Sequence, residues 1–198
     1  MKKRLTPVAS AALAVAVAAG AASAAQQLAP TRLLLVRNPT PGGIITNRKI
    51  LFRIQDGPAS ALELTGNPTQ NGATLRIRLA SGGDQCFDLP AAGWVPISTV
   101  GYKYGDNNGP GAAASVLVKK TGFAGTFIVK AKLASRLGPI DVIPMINETA
   151  FDADFQIVGG DDYCAGGTTP AGSTVTDKVY NVKNVTAPAS CGVATCAP

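Results

Sequence analysis

The residues of this chain best suited to acid–base chemistry are carboxylates. Asp152 and Asp154 alternate with Phe151, Ala153, Phe155 and Ile157, so a strand would put both acids on one face, with Asp161 and Asp162 in the turn beyond. Paired acids serve glycosidases and bind calcium. They equally form the polar face of an amphipathic strand opposite Arg76, Arg78, Lys130 or Lys132, where cross-strand ion pairs are favourable, and this is the reading adopted. Asp106-Asn107-Asn108-Gly109 is rich in oxygen ligands but lacks the alternating spacing of an EF-hand loop, and reads as a turn. The chain contains no histidine, which removes the usual base for a Ser or Cys nucleophile and the commonest metal ligand. It also lacks a Gly-x-Ser-x-Gly elbow, a Walker loop and a dinucleotide fingerprint. No catalytic residue, metal ligand or cofactor is therefore assigned, and the expectation is a non-enzymatic protein.

Two other groups of side chains suit binding. Lys119, Lys120, Lys130 and Lys132 fall in two period-two segments separated only by residues 121–125, a hairpin-like arrangement. Alternation puts Lys130 and Lys132 on one face with Lys119 able to join them, and Arg76 and Arg78 would extend the patch if their strand were adjacent. Such a patch fits an envelope polyanion. The competing explanation, and the one adopted, is that lysines on exposed strands discourage edge-to-edge pairing, because no aromatics interleave with them as a nucleic-acid site requires. Tyr102 and Tyr104 share a face and offer stacking surface for carbohydrate, whereas Trp94, set between Gly93 and Val95-Pro96, reads as a core anchor.

Where the protein works is written at its start. Lys2, Lys3 and Arg4 precede an uncharged Ala- and Val-rich run from Val8 to Ala22, followed by the small-x-small sites Ala22-Ser23-Ala24 and Ser23-Ala24-Ala25. This is the layout of a cleaved signal peptide, residues 1–24, ahead of a mature domain over 25–198 with no membrane span. Cleavage leaves 174 of the 198 residues, and 15 basic against 12 acidic side chains, a net charge of +3. The expected location is secreted, periplasmic or cell-surface. Cys86, Cys164, Cys191 and Cys196 all lie in the mature part, and an even count in an oxidising compartment reads as two disulfides. We favour Cys164 with Cys191 and Cys86 with Cys196; the rival joins Cys191 to Cys196 and Cys86 to Cys164.

These side chains must be positioned by strands. Period-two patterns recur at Leu33 to Leu35, Lys49 to Gln55, Thr74 to Leu79, Val116 to Lys120, Phe127 to Leu133, Phe151 to Ile157 and Val179 to Val182. Breakers rich in Gly, Pro and Asn separate them, among them Gly66-Asn67-Pro68, Ser81-Gly82-Gly83-Asp84 and Gly159-Gly160-Asp161-Asp162. A helical turn fits only Lys132 to Leu137. Roughly seven to nine short strands in one all-β domain suit a sandwich or jelly-roll.

The chain resembles a family of uncharacterised secreted β-rich proteins of Gram-negative bacteria, on the phrases LLLVRNP (33–39), RKILFRIQD (48–56), GATLRIRLA (72–80), LPAAGWV (89–95), GYKYGDNNGP (101–110), SVLVKKTG (115–122), YCAGG (163–167) and APASC (187–191). The resemblance implies a compact secreted β domain and carries no catalytic assignment. Where the family places an aromatic residue soon after Tyr-Cys-Ala, this chain has Gly166 and Gly167. Together these readings give a structural or interaction role at the cell envelope or outside the cell. The alternative is a module that binds carbohydrate or an envelope polyanion.

Overall fold

The computed structural model describes residues 25–40, 45–105, 111–122, 125–192 and 196. The expected signal peptide and the turn at Asp106 to Gly109 lie outside these residues. The described chain is a two-layer, all-β sandwich. Its strands are β1 (Gln26–Leu28), β2 (Thr31–Arg37), β3 (Lys49–Gln55), β4 (Ala73–Leu79), β5 (Gly83–Leu89), β6 (Trp94–Ile97), β7 (Gly101–Tyr104), β8 (Ala113–Lys120), β9 (Phe127–Ala134), β10 (Ala150–Ile157), β11 (Asp162–Thr168), β12 (Thr174–Val175) and β13 (Val179–Val185). The smaller sheet has the order β1-β11-β10-β4-β5 and the larger β12-β13-β2-β3-β9-β8-β7-β6. Pairing is antiparallel throughout except between β1 and β11.

Alternation decides which side chains meet between the layers, because a strand turns successive residues to opposite faces. Leu34, Val36, Ile50, Phe52, Ile54, Val116, Val118, Phe127 and Val129 of the larger sheet are buried against Leu75, Ile77, Phe87, Phe151, Phe155, Ile157 and Tyr163 of the smaller. Aromatic rings bridge the layers: Phe127 stacks on Tyr163 at 4.7 Å between centroids, and Trp94 meets Phe155 at 6.3 Å. Tyr163 is fully buried, and its hydroxyl donates to the Glu63 carbonyl at 2.6 Å. That bond ties the connection between β3 and β4 to the core.

The strands number thirteen among the described residues, more than the period-two segments suggest. The breakers Ser81-Gly82-Gly83-Asp84 and Gly159-Gly160-Asp161-Asp162 run into the starts of β5 and β11. Gly83 opens β5, and Gly166 sits within β11, where an added Cβ would come within 2.8 Å of the Phe151 carbonyl oxygen. Glycine here permits close approach of the neighbouring strand, so it marks packing and not a turn. The segment Lys132 to Leu137 holds no helix: only a hydrogen-bonded turn follows the strand, with the Leu137 amide donating to the Ala134 carbonyl at 3.0 Å. The segment to Ala134 is strand, because alternate burial of Ala131 and Leu133 in the core outweighs its local helix propensity. Helical turns occur instead as 3-10 turns at Ile45–Asn47 and Ala91–Gly93 and as an α-helical turn at Pro68–Asn71 (α1), where the Asn67 side chain accepts from the Thr69 amide at 3.1 Å and proline occupies the first turn. Among the described residues no helix is long and apolar enough to cross a membrane.

The two disulfides are Cys164–Cys191 and Cys86–Cys196, with Cα separations of 5.4 and 5.9 Å. This is the favoured pairing, and the rival terminal loop is not formed.

Candidate functional site

The outer face of the larger sheet is cationic. Its outward strand positions carry Arg37 on β2, Lys49 and Arg53 on β3, and Lys130 and Lys132 on β9. Lys119 on β8, Lys103 on β7 and Lys183 on β13 complete the set. These are eight of the 15 cations that follow residue 24, and no outward strand position of this sheet is acidic. The ion pairs Arg76–Asp84 and Lys120–Glu63 both lie elsewhere. Pairing registers align several of the cations across the strands: Lys183 lies opposite Leu33, Leu33 opposite Arg53, Arg53 opposite Lys130, Lys130 opposite Leu117, and Leu117 opposite Lys103.

Arg53 and Lys130 are thus like charges directly across a strand pair, an arrangement that costs stability unless something offsets it. Nothing within the sheet does, and the Arg53 Nε–H has no acceptor among the described residues. The edge-protection reading of the lysines fails on topology. β8 lies between β7 and β9, and β9 between β3 and β8, while the edges of the sheet are β12 and β6. Lys119, Lys130 and Lys132 do share a face, as their alternation indicates. Arg76 and Arg78 do not extend it, because β4 belongs to the other sheet.

The tyrosines point inward. Tyr104 is 2% exposed and packs against Trp94 at 5.4 Å between centroids, so its ring is part of the core and not a ligand platform. Tyr102 is half-buried and lines an open groove of about 330 Å³ with Glu63, Ser98, Thr99 and Lys120. Trp94 is buried at 4% exposure, with its indole N–H donating to the Leu89 carbonyl at 3.1 Å.

The outer face of the smaller sheet has the opposite character. Asp84 and Asp88 on β5, Asp152 and Asp154 on β10, and Asp162 on β11 surround Arg76 and Arg78 on β4. The register pairs Asp152 with Arg78 and Asp154 with Arg76, as the amphipathic reading requires. Yet Asp154 is not at a solvent face: it is 1% exposed and Asp162 2%. Cys164, Asp154, Arg76 and Cys86 form one row across four strands, and both ends of that row are disulfide-bonded to the C-terminal segment through Cys191 and Cys196. Gly192 lies so close to Asp152 that an added Cβ would come within 2.4 Å of its carboxylate. The C-terminal segment therefore covers carboxylates that strand alternation alone would expose.

Burial drives the Asp154 carboxyl up to about 8, reinforced by its hydrogen bond to Asp162, whose own carboxyl is raised chiefly by burial. Asp154 Oδ2 lies 3.5 Å from Cys164 Sγ. A disulfide sulfur has no proton to donate, so this contact is a hydrogen bond only when the carboxyl is the protonated partner. By contrast, Arg76 grips Asp84 through two bonds of 2.8 and 2.5 Å, and that hydrogen bonding holds the Asp84 carboxyl below its ordinary range. Asp162, Cys164 and Cys191 are close enough to suggest a metal cluster, but both sulfurs are consumed in the disulfide and offer no thiolate.

Sequence reasoning missed Arg53, Lys103, Lys183, Lys49 and Arg37 as members of the cationic face. Period-two alternation places each on a strand face, but only the pairings β13–β2 and β3–β9, between strands distant in the chain, bring those faces together. No family model, curated protein or solved structure matches the chain.

Proposed function

We propose that this chain is a non-enzymatic β domain that works outside the cytoplasm as an interaction module, binding a polyanionic component of the cell envelope through the outer face of its larger sheet. What carries this reading is the acid-free cationic face, above all the opposition of Arg53 and Lys130 on interior strands. Like charges kept side by side with no internal counter-charge are understandable where an external anion supplies it. The disulfides support an oxidising location. The non-enzymatic reading is supported by the burial of Asp154 and Asp162, which keeps the carboxyl pair with raised proton affinity out of a substrate's reach. Chromatography on a heparin-like resin tests the proposal. Changing Lys119, Lys130 and Lys132 together to Gln should bring elution to markedly lower salt, and unchanged elution would reject the face as the binding surface.

A further inference from the structure

Resting on that reading, we infer that the cationic face is a track for one linear anionic glycan chain, laid across the strands along the row Lys183, Leu33, Arg53, Lys130, Leu117 and Lys103. Neighbouring strands lie about 4.8 Å apart, so the row sets Lys183 about 10 Å from Arg53, Lys130 one spacing further on, and Lys103 about 10 Å beyond that, some 24 Å end to end. Cations set along one line across the strands suit a linear polyanion laid over them. Spacing alone does not separate such a chain from single-stranded nucleic acid, whose phosphates also recur along a flexible backbone; the side chains between the cations do.

The residues between the cations point to a glycan. Leu33 and Leu117 are half-buried and fill the gaps in the row, giving low apolar ground for the C–H faces of sugar rings. No outward strand position of this sheet is aromatic, so bases have nothing to stack on. Arg53, at the centre, offers a guanidinium able to grip a carboxylate or sulfate with two bonds, while the lysines to either side adapt to uneven spacing.

Shape separates a chain from a membrane. Adjacent strands rotate by about 20–25°, which accumulates to roughly 100–125° over the five steps from β13 to β7. A planar bilayer touches only part of such a surface, whereas a linear polymer coils along it.

The test uses the mature protein with size-fractionated heparin oligosaccharides, phosphatidylglycerol vesicles and single-stranded DNA of matched length. Affinity should rise with oligosaccharide length up to about 24 Å of contour, the span of the row, and then level off. The logarithm of affinity should fall against that of salt with a slope near −3, as four cations contribute about 0.7 each. Lys130→Gln and Lys103→Gln, at exposed positions, should each reduce that slope by about one contact, while Lys178→Gln, outside the row, leaves it unchanged. Vesicles or DNA binding as tightly as the oligosaccharides would overturn the glycan track while leaving a cationic binding face in place, as would a slope unaffected by both row variants. No retention of any of the three probes at low salt would overturn the track and the proposed function together.

Discussion

The carboxyl groups of Asp154 and Asp162, on neighbouring strands of the smaller sheet, are both buried, and burial together with their proximity raises the proton affinity of Asp154 so that it keeps a proton at neutral pH. Two like charges in a site shielded from water cannot both be sustained, and retaining a proton on Asp154 is the cheaper solution. Arg76 lies directly across from Asp154 and lowers its proton affinity, but this effect is smaller than burial.

Stability should consequently fall as pH rises. The folded protein keeps a proton on Asp154 between the ordinary carboxylate value of 3.8 and about 8, whereas the unfolded chain does not. Within that window stability declines with each pH unit, and the loss levels off above the folded value. Asp84 works in the opposite sense: its carboxyl is lowered by Arg76, so its contribution disappears as pH falls through the acidic range. Urea denaturation between pH 5 and 9 measures the slope, and Asp154→Asn should flatten it. An unchanged slope in that variant would show that another group is responsible.

Truncating Trp94 to Ala should cost about 3–5 kcal/mol, the usual range for removing a large aromatic from a core. The ring is lost from contact with Tyr104 and Phe155, and the Leu89 carbonyl loses its indole donor. Gly93→Ala should strain the same corner, since a Cβ there would lie 2.3 Å from the Tyr104 ring. A Trp94→Ala protein that melts within a degree or two of the parent would contradict the core assignment.

The all-β sandwich, the Trp94 anchor and the placing of Asp152 and Asp154 on one strand face were legible in the sequence because each follows from local alternation; of the four cations offered as their partners, only the β10–β4 pairing selects Arg78 and Arg76. What was not legible depends on contacts between distant segments. Alternation assigns Asp154 to the outer face correctly, yet its burial comes from a C-terminal segment bonded to Cys86 and Cys164. Tyr102 and Tyr104 do share a face, but which face points inward is set by the second sheet. The breaker Ser81-Gly82-Gly83-Asp84 does mark a turn, at residues 80–82, but its last two residues already belong to β5, a strand whose pattern is too polar to read as one.

The protein should contain two disulfides and no free thiol, so intact mass should rise by the mass of four hydrogen atoms on reduction, with no alkylation beforehand. Loop-closure entropy ranks the bridges: Cys86–Cys196 closes 110 residues and contributes about 5 kcal/mol, whereas Cys164–Cys191 closes 27 and contributes about 3.5 kcal/mol. Replacing Cys191 with Ser should also admit water to the Asp154–Asp162 pair, so the decline of stability with pH should become shallower. A steeper or equal pH slope would show that the bridge does not shield the carboxyls.

The last expectation separates stability from binding on the cationic face. Lys130 stands opposite Arg53 on one side and Leu117 on the other, with Lys132 two residues along the same strand. Lys130→Glu converts the like-charge opposition into a cross-strand ion pair, and such exchanges are worth about 0.2–1 kcal/mol. The acidic variant should therefore unfold at slightly higher denaturant than the parent, while its retention on a polyanion resin falls well below that of Lys130→Gln. A residue kept for stability alone would behave otherwise, because a stabilising replacement would then carry no functional penalty. Equal or lower stability for Lys130→Glu would mean that Arg53 and Lys130 do not repel in the folded protein, and undiminished retention would mean that Lys130 does not meet the polyanion.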